Sequence, residues 1–279
     1  MEEHFRGGHV IVKTSTAGRR SPEHEVSTPL LGSVLELVLR LAPRGSIFLA
    51  DGPSFEIAYD DECKRLGWSD LVESTGISLN DLNRGPTIEI APGWPISRVY
   101  AEADLVINLT KAKTHRRFGV SLAEKSLLGV LSGGELGYPK LAGRHSQAVW
   151  LLRQIADCSP PIFSIIDGFC GIEGEGPLNG IASRSDFLTF GPGCLGPDIR
   201  ATVEMGFDPA LTPIFHRPYH TAPADHSLVW QEMRTSRVNY RPPISCRWLY
   251  RSLRQGPRRR NAIYRALLVG AKESWPPGK

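Results

Sequence analysis

Four short apolar runs in this sequence each break off at a charged or turn-forming residue: HVIVK (9–13), SIFLA (46–50, then Asp51-Gly52), DLVINL (104–109) and IFSIID (162–167). At this length they read as strands buried on both faces, the kind that fill parallel sheets. After the first run, Thr28 as N-cap and Pro29 at the first helical position open a helix, and Leu30, Val34, Leu37, Val38 and Leu41 recur at helical spacing. Strand, helix and strand in that order require a crossover connection. The pattern therefore predicts an α/β fold, a mainly parallel, Rossmann-like sheet flanked by helices. Ligands in such folds sit beyond the carboxyl ends of strands, so the residues that end these runs are the first functional candidates.

Further elements follow the same logic. A helix-like stretch lies near 55–66, TIEI (87–90) and DFLTF (186–190) read as strands, and SLAEKSLLGVL (121–131), 146–156 and PDIRATVEMGF (197–207) read as helices. At 279 residues the chain fits one large domain or two lobes. Near Phe215 the texture turns rich in proline, histidine and arginine, so the expected division is an α/β domain over 9–210 and an irregular, partly helical arm over 211–279. The arm holds helical candidates at 246–255 and 261–272.

Charge separates along the same boundary. The net +4 conceals +10 over residues 231–279, where twelve Lys/Arg face Glu232 and Glu273, and −6 over the rest. An acidic body with a basic extension is not a uniformly basic nucleic-acid binder, and no specific nucleic acid is expected as a partner. The five cysteines show no C-x-x-C or zinc-like spacing. MEEHFRGGHV has no apolar signal core, and no stretch approaches a membrane span. A reduced, cytoplasmic protein without a transmembrane segment is the expectation.

The densest chemistry is Lys111, Lys113, His115, Arg116, Arg117 and Lys125, read as a loop after DLVINL and the helix that follows. Converging cations bind a carboxylate or phosphate, or stabilise an oxyanion as it forms. His115 suits proton transfer, and a neighbouring ammonium would lower Lys113 or Lys125 toward a base or nucleophile. The plain alternative is a solvated basic loop followed by an amphipathic helix. Asp51, Asp167, Glu173 and Glu175 fall at or beyond other strand ends, where they orient lysines, exchange protons or merely cap turns. A metal held by His115, His145 and Asp167 or Glu173 matches no ligand spacing. His216, His220 and His226 carry no diagnostic pattern either. GIEGEGPLNG is neither a P-loop nor a dinucleotide fingerprint, and no G-x-S-x-G elbow occurs.

Taken in order, HVIVK, STPLL, LADGPS, ADLVINLTKAKTH, EKSLLG, His145, IIDGFCGIEGEGPLNG and PDIRATVEMGFDP resemble the domain of unknown function 362 family over about residues 9–210. The resemblance implies an α/β fold and puts Lys111, Lys113, His115, Lys125, Asp167, Glu173 and Pro177 on the family's motifs. It favours a cleft role for the Lys/His cluster. Many members look iron–sulfur linked through appended ferredoxin-like cysteine motifs; this chain has none, and no cluster is expected. The chain also departs from the family at Lys13-Thr14-Ser15, where Lys-Pro-Asn is common, at Lys125-Ser126, where Lys-Asn is common, and around Asp198. Loss of two amide side chains suggests a specialised substrate.

The expectation is an enzyme acting on a small anionic metabolite by proton transfer, of lyase, isomerase or cyclising type, without an organic cofactor. His115, Lys113, Lys125 and Glu173 are the catalytic candidates. Lys13, Asp51, Lys111, His145 and Asp167 are the substrate-binding ones. The alternatives are a metal-dependent enzyme using His115, His145 and a carboxylate, and a binding module docking through its basic tail. In the plain view of that tail, Trp248, Leu249, Leu253, Tyr264 and Leu268 pack on the acidic body or on a second subunit of a homo-oligomer.

Overall fold

A computed structural model describes residues 8–16, 22–42, 46–53, 57–132, 145–209, 212–215 and 240–243. Seven strands build the main sheet: β1 (Val10–Lys13), β2 (Ile47–Asp51), β3 (Ser78–Asp81), β6 (Leu105–His115), β7 (Gly119–Ser121), β8 (Ile162–Glu175) and β9 (Asn179–Pro192). Their order is β3-β2-β1-β6-β8-β9, with β7 paired to the far end of β6. The strands from β3 to β8 run parallel, and β7 and β9 run antiparallel to their neighbours. The expected α/β fold with a mainly parallel sheet is present. β4 (Thr87–Ala91) and β5 (Trp94–Ser97) form a separate antiparallel pair.

From β1 the chain winds outward through β2 to β3, then returns to place β6 on the other side of β1. The junction of β1 and β6 is thus the point where strand order reverses, the position at which open α/β sheets bind ligands as a rule.

Two apolar layers cover the sheet. On one face α1 (Thr28–Leu41), α2 (Tyr59–Arg65) and α3 (Ser69–Thr75) enclose Val10, Val12, Leu49, Ile107 and Leu109 under Leu31, Leu35, Tyr59 and Trp68. On the other, α4 (Arg98–Ala101), α5 (Ala123–Ser126), α6 (His145–Cys158), α7 (Leu195–Glu204) and the β4–β5 pair enclose Ile11, Val106, Ala112 and Ile166. Each fully buried aliphatic contributes roughly 1.5–3 kcal/mol. Alternate residues of β1 and β6 serve opposite layers, which is why these runs are apolar without a break.

Three expectations need correction. The strand beginning DLVINL does not stop at Leu109: β6 continues to His115, with all eleven residues buried. TKAKTH is therefore strand, not loop, and its charged residues are held inside by carboxylates from distant elements. IFSIID likewise continues to Glu175, and the glycine-rich stretch after it forms a hairpin whose return strand contains DFLTF. The stretch 121–131 is not one helix: β7 ends at Ser121, α5 covers four residues, and a 3-10 turn covers Leu127–Val130. In that turn Gly129 brings main chain against the Lys13–Asp51 pair, where a Cβ would stand 2.9 Å from Asp51 Oδ1 and 3.2 Å from Lys13 Nζ.

A smaller shift occurs at α1. Ser27, not Thr28, is its N-cap residue, without a side-chain cap, and Asp167 Oδ2 accepts the Ser27 N–H at 2.9 Å. Of the arm, only 212–215 and 240–243 are described; the helical candidates, the basic run Arg258–Arg260 and His216, His220 and His226 lie outside the described residues. So do residues 133–144 and the side chain of His145, whose backbone opens α6.

Candidate functional site

β1 ends in Lys13, which has no solvent exposure and lies in register with Asn108 of β6 and Ala50 of β2. Its Nζ donates to the Thr14 carbonyl at 2.8 Å and to Asp51 Oδ1 at 3.2 Å. Asp51 Oδ2 in turn accepts from Thr16 N and Oγ1 at 2.6 and 2.7 Å, so the polar loop after β1 folds back over the end of β2. A buried ammonium is tolerable only with such a partner.

On β6, Lys111 stands directly opposite Asp167 of β8, with Nζ 2.8 Å from Oδ2. Asp167 also accepts the Phe169 N–H at 3.1 Å besides that of Ser27. Two residues on, Lys113 Nζ lies 3.6 Å from Glu25 Oε2, both side chains almost fully buried. His115 ends the same alternation. The period-two spacing of Lys111, Lys113 and His115 follows from the pleat of a strand.

Lys125 comes from the opposite side, on α5. Asn108 fixes this helix to β6: its Nδ2 donates to the Ala123 carbonyl at 2.9 Å and its Oδ1 accepts from Ser126 Oγ at 2.6 Å. Asp198 of α7 fixes the helix start by accepting the Ala123 and Glu124 N–H groups at 2.8 and 2.9 Å. Burial, then the neighbouring charges of Lys113 and Lys13, push the Lys125 amine down to about 8, while Asp51 opposes the shift. Lys13, Lys113, Lys125 and Asp51 therefore share one electrostatic neighbourhood at the β1/β6 junction. Four lysines meet three carboxylates (Asp51, Asp167 and Glu25), which leaves an excess of positive charge.

The His115 ring is oriented by main chain. Its Nδ1 accepts the Arg117 and Phe118 N–H groups at 3.1 and 3.3 Å, and the ring packs on Phe118 with centroids 4.7 Å apart. A proton on Nδ1 would face two donors, so the neutral ring carries its hydrogen on Nε2. Nε2 is then a hydrogen-bond donor. That tautomer does not suit a metal at Nε2, which needs the lone pair there.

Glu173, next to the Lys113 register partner Ile172 on β8, binds the C-terminal arm. Its carboxylate accepts the Arg241 main-chain N–H at 2.8 Å and the Arg241 Nε, while Gly174 N–H donates to the Arg241 carbonyl at 2.7 Å. It thus fastens the described piece of the C-terminal arm to the β8–β9 hairpin.

The structure brings Lys13, Asp51, Lys113 and Lys125 together beside the ends of β1 and β2, holds the Lys111–Asp167 pair between β6 and β8, and places His115 two residues beyond Lys113 on β6. Glu25, Thr16, Asn108, Ser126 and Asp198 were not among the sequence candidates for the site. Local sequence offers no signal for Glu25, because its partner Lys113 is 88 positions away and only the fold joins them.

Among the described residues no three His, Cys, Asp or Glu side chains gather as a metal-ligating group. Cys63 lies in the layer under α1–α3, Cys194 packs against the layer on the opposite face of the sheet, and Cys158 of α6 is exposed. A groove of about 520 Å³ between β9 and α7, lined by Leu188, Phe190, Pro197 and Arg200, involves none of the Lys/His cluster. No helix of the described residues is long and apolar enough to cross a membrane.

Over 214 residues the chain is 26% identical to the thylakoid-associated protein sll1697 of Synechocystis; the match covers 74% of this chain and 66% of that relative's length, just under two thirds. The profile of the Domain of unknown function (DUF362) family matches residues 10–193, from β1 through the end of β9, and on that match the chain belongs to the DUF362 family.

Proposed function

We propose that this chain is an enzyme that binds a small carboxylate- or phosphate-bearing metabolite at the β1/β6 junction and moves a proton on it, as a lyase, isomerase or cyclising enzyme. The observation that carries this reading is the convergence of Lys13, Lys113 and Lys125 beside the point of strand-order reversal, with Lys111 two residues before Lys113 on the same strand. Solvated surface lysines are not buried against carboxylates contributed by three separate segments, so the solvated-loop alternative loses its basis.

In this reading Lys13, Lys111 and Lys113 hold the anion, each oriented by its own carboxylate. Lys125, with its amine lowered to about 8, keeps a neutral fraction near neutral pH and accepts a proton from carbon. The broken C–H bond leaves its electron pair on the adjacent carbonyl oxygen, and His115 Nε2–H donates to that developing oxyanion. The described cysteines are all free thiols, which supports a reducing compartment and placement in the cytoplasm.

The test is solvent exchange. Incubated in D2O with a panel of small carboxylic and phosphorylated acids and followed by 1H NMR, the protein should wash deuterium into one acid at an acidic C–H. Lys113→Met and Lys125→Met should abolish the exchange while each melts cooperatively. Full exchange in both variants, or none in the wild type across the panel, overturns the proposal.

A further inference from the structure

Thr110 lies on β6 between Asn108 and Ala112, on the sheet face that also carries Ile11 and therefore Lys13. It is 1% exposed, yet its Oγ1 has no hydrogen-bond partner among the described residues. On the same face Asn108 bonds to Ala123 and Ser126, and Thr114 Oγ1 donates to the Gly174 carbonyl. A buried hydroxyl without a partner costs stability in the free protein, and an anionic oxygen placed beside it would supply the missing acceptor.

Its position specifies the ligand. Lys13 is in register with Asn108, one pleat before Thr110 on the same face, and α5 with Lys125 is bonded onto that same Asn108. An acceptor oxygen that reaches Thr110 Oγ1 at this edge therefore enters the neighbourhood of both lysines. We propose that Thr110 is a substrate-contacting residue whose hydroxyl donates to an anionic oxygen of the carboxylate or phosphate bound by Lys13 and Lys125. The inference rests on the anion-binding reading of the site and adds a neutral donor to it. The hydroxyl hydrogen turns about Cβ–Oγ1 to follow its acceptor, and so adds a directed neutral donor to the two ammonium groups.

Thr110→Val replaces the hydroxyl by a methyl of the same shape, and Thr110→Ser keeps the hydroxyl. The probes are inorganic phosphate and succinate, each titrated calorimetrically at constant ionic strength, with ligand-free thermal melts of all three proteins. The valine variant should melt at or above the wild-type temperature without ligand, because a burdened polar group has gone. It should bind whichever probe the wild type prefers about 10-fold or more weakly, the loss expected for a hydrogen bond to a charged partner. The serine variant should stay within about 3-fold of wild type, since its donor is retained. The preferred probe identifies carboxylate or phosphate as the source of the oxygen. If Thr110→Val binds the probe as the wild type does, or melts lower without ligand, Thr110 is not the contact and the anion site still stands. If the wild type binds neither probe, the anion reading fails and the Thr110 contact fails with it.

Discussion

Lys111 Nζ and Asp167 Oδ2 lie 2.8 Å apart on directly opposed residues of β6 and β8, both almost fully buried. The two partners are not equivalent, because Asp167 also accepts the N–H groups of Ser27 and Phe169 and so ties the start of α1 to the sheet. Asp167→Ala strands a buried ammonium and two main-chain donors, and should cost about 3–5 kcal/mol. Lys111→Met leaves a carboxylate that still has two donors and should cost clearly less. Urea unfolding of both variants measures this, and equal losses would contradict the asymmetry.

Lys125 gives the protein a stability that depends on pH. Its folded value is lowered from the ordinary 10.5 to about 8, so between these values the unfolded chain binds more protons than the folded one. Stability from this group accordingly rises as pH increases from about 8 toward 10.5. Lys125→Met should flatten that rise and be at least as stable as the wild type at pH 7. The same slope in both proteins would show that Lys125 is not the titrating group.

Glu124 acts in the opposite direction. Burial pushes its carboxyl up from 4.5 to about 7, and Asp198, buried beside it, is raised too, by burial and then by the Glu124 charge. The folded state binds the extra proton here, so stability is full below about 4.5 and falls as pH rises through about 7. Denaturation midpoints of Glu124→Gln should lose much of this decline. A wild-type midpoint that climbs steadily from pH 5 to pH 7, with no difference in the variant, is the contrary result.

The ring of His115 is predicted to be the Nε2–H tautomer, because two main-chain N–H groups occupy Nδ1. Nitrogen-15 NMR of histidine-labelled protein distinguishes the bare nitrogen from the protonated one directly. His115→Gln, which can offer a donor near the position of Nε2, should keep more of the exchange activity than His115→Asn. A protonated Nδ1 in the spectrum would remove the oxyanion role from this residue.

Much of the α/β layout was legible because strand and helix periods are local properties. HVIVK, SIFLA and IFSII are apolar without interruption since both faces of the sheet are covered, and the helix over 28–41 shows its stripe. TKAKTH was harder to read. Its alternation of Lys111, Lys113 and His115 is visible in the sequence, yet charged residues at that spacing suit an exposed loop equally well until their partners are known.

Sequence alone determined the strand-forming runs, the family pattern and the separation of an acidic body from a basic extension. Tertiary structure decided which charges are buried and what each one does. Glu25 meets Lys113, Asp51 meets Lys13 and Asp198 anchors the helix of Lys125 only after the crossovers close. Glu173, a catalytic candidate by position, is instead drawn to Arg241. Pairings across such separations leave no local trace, because the energy that selects them is the cost of burying an unpaired charge, and burial exists only in the folded chain.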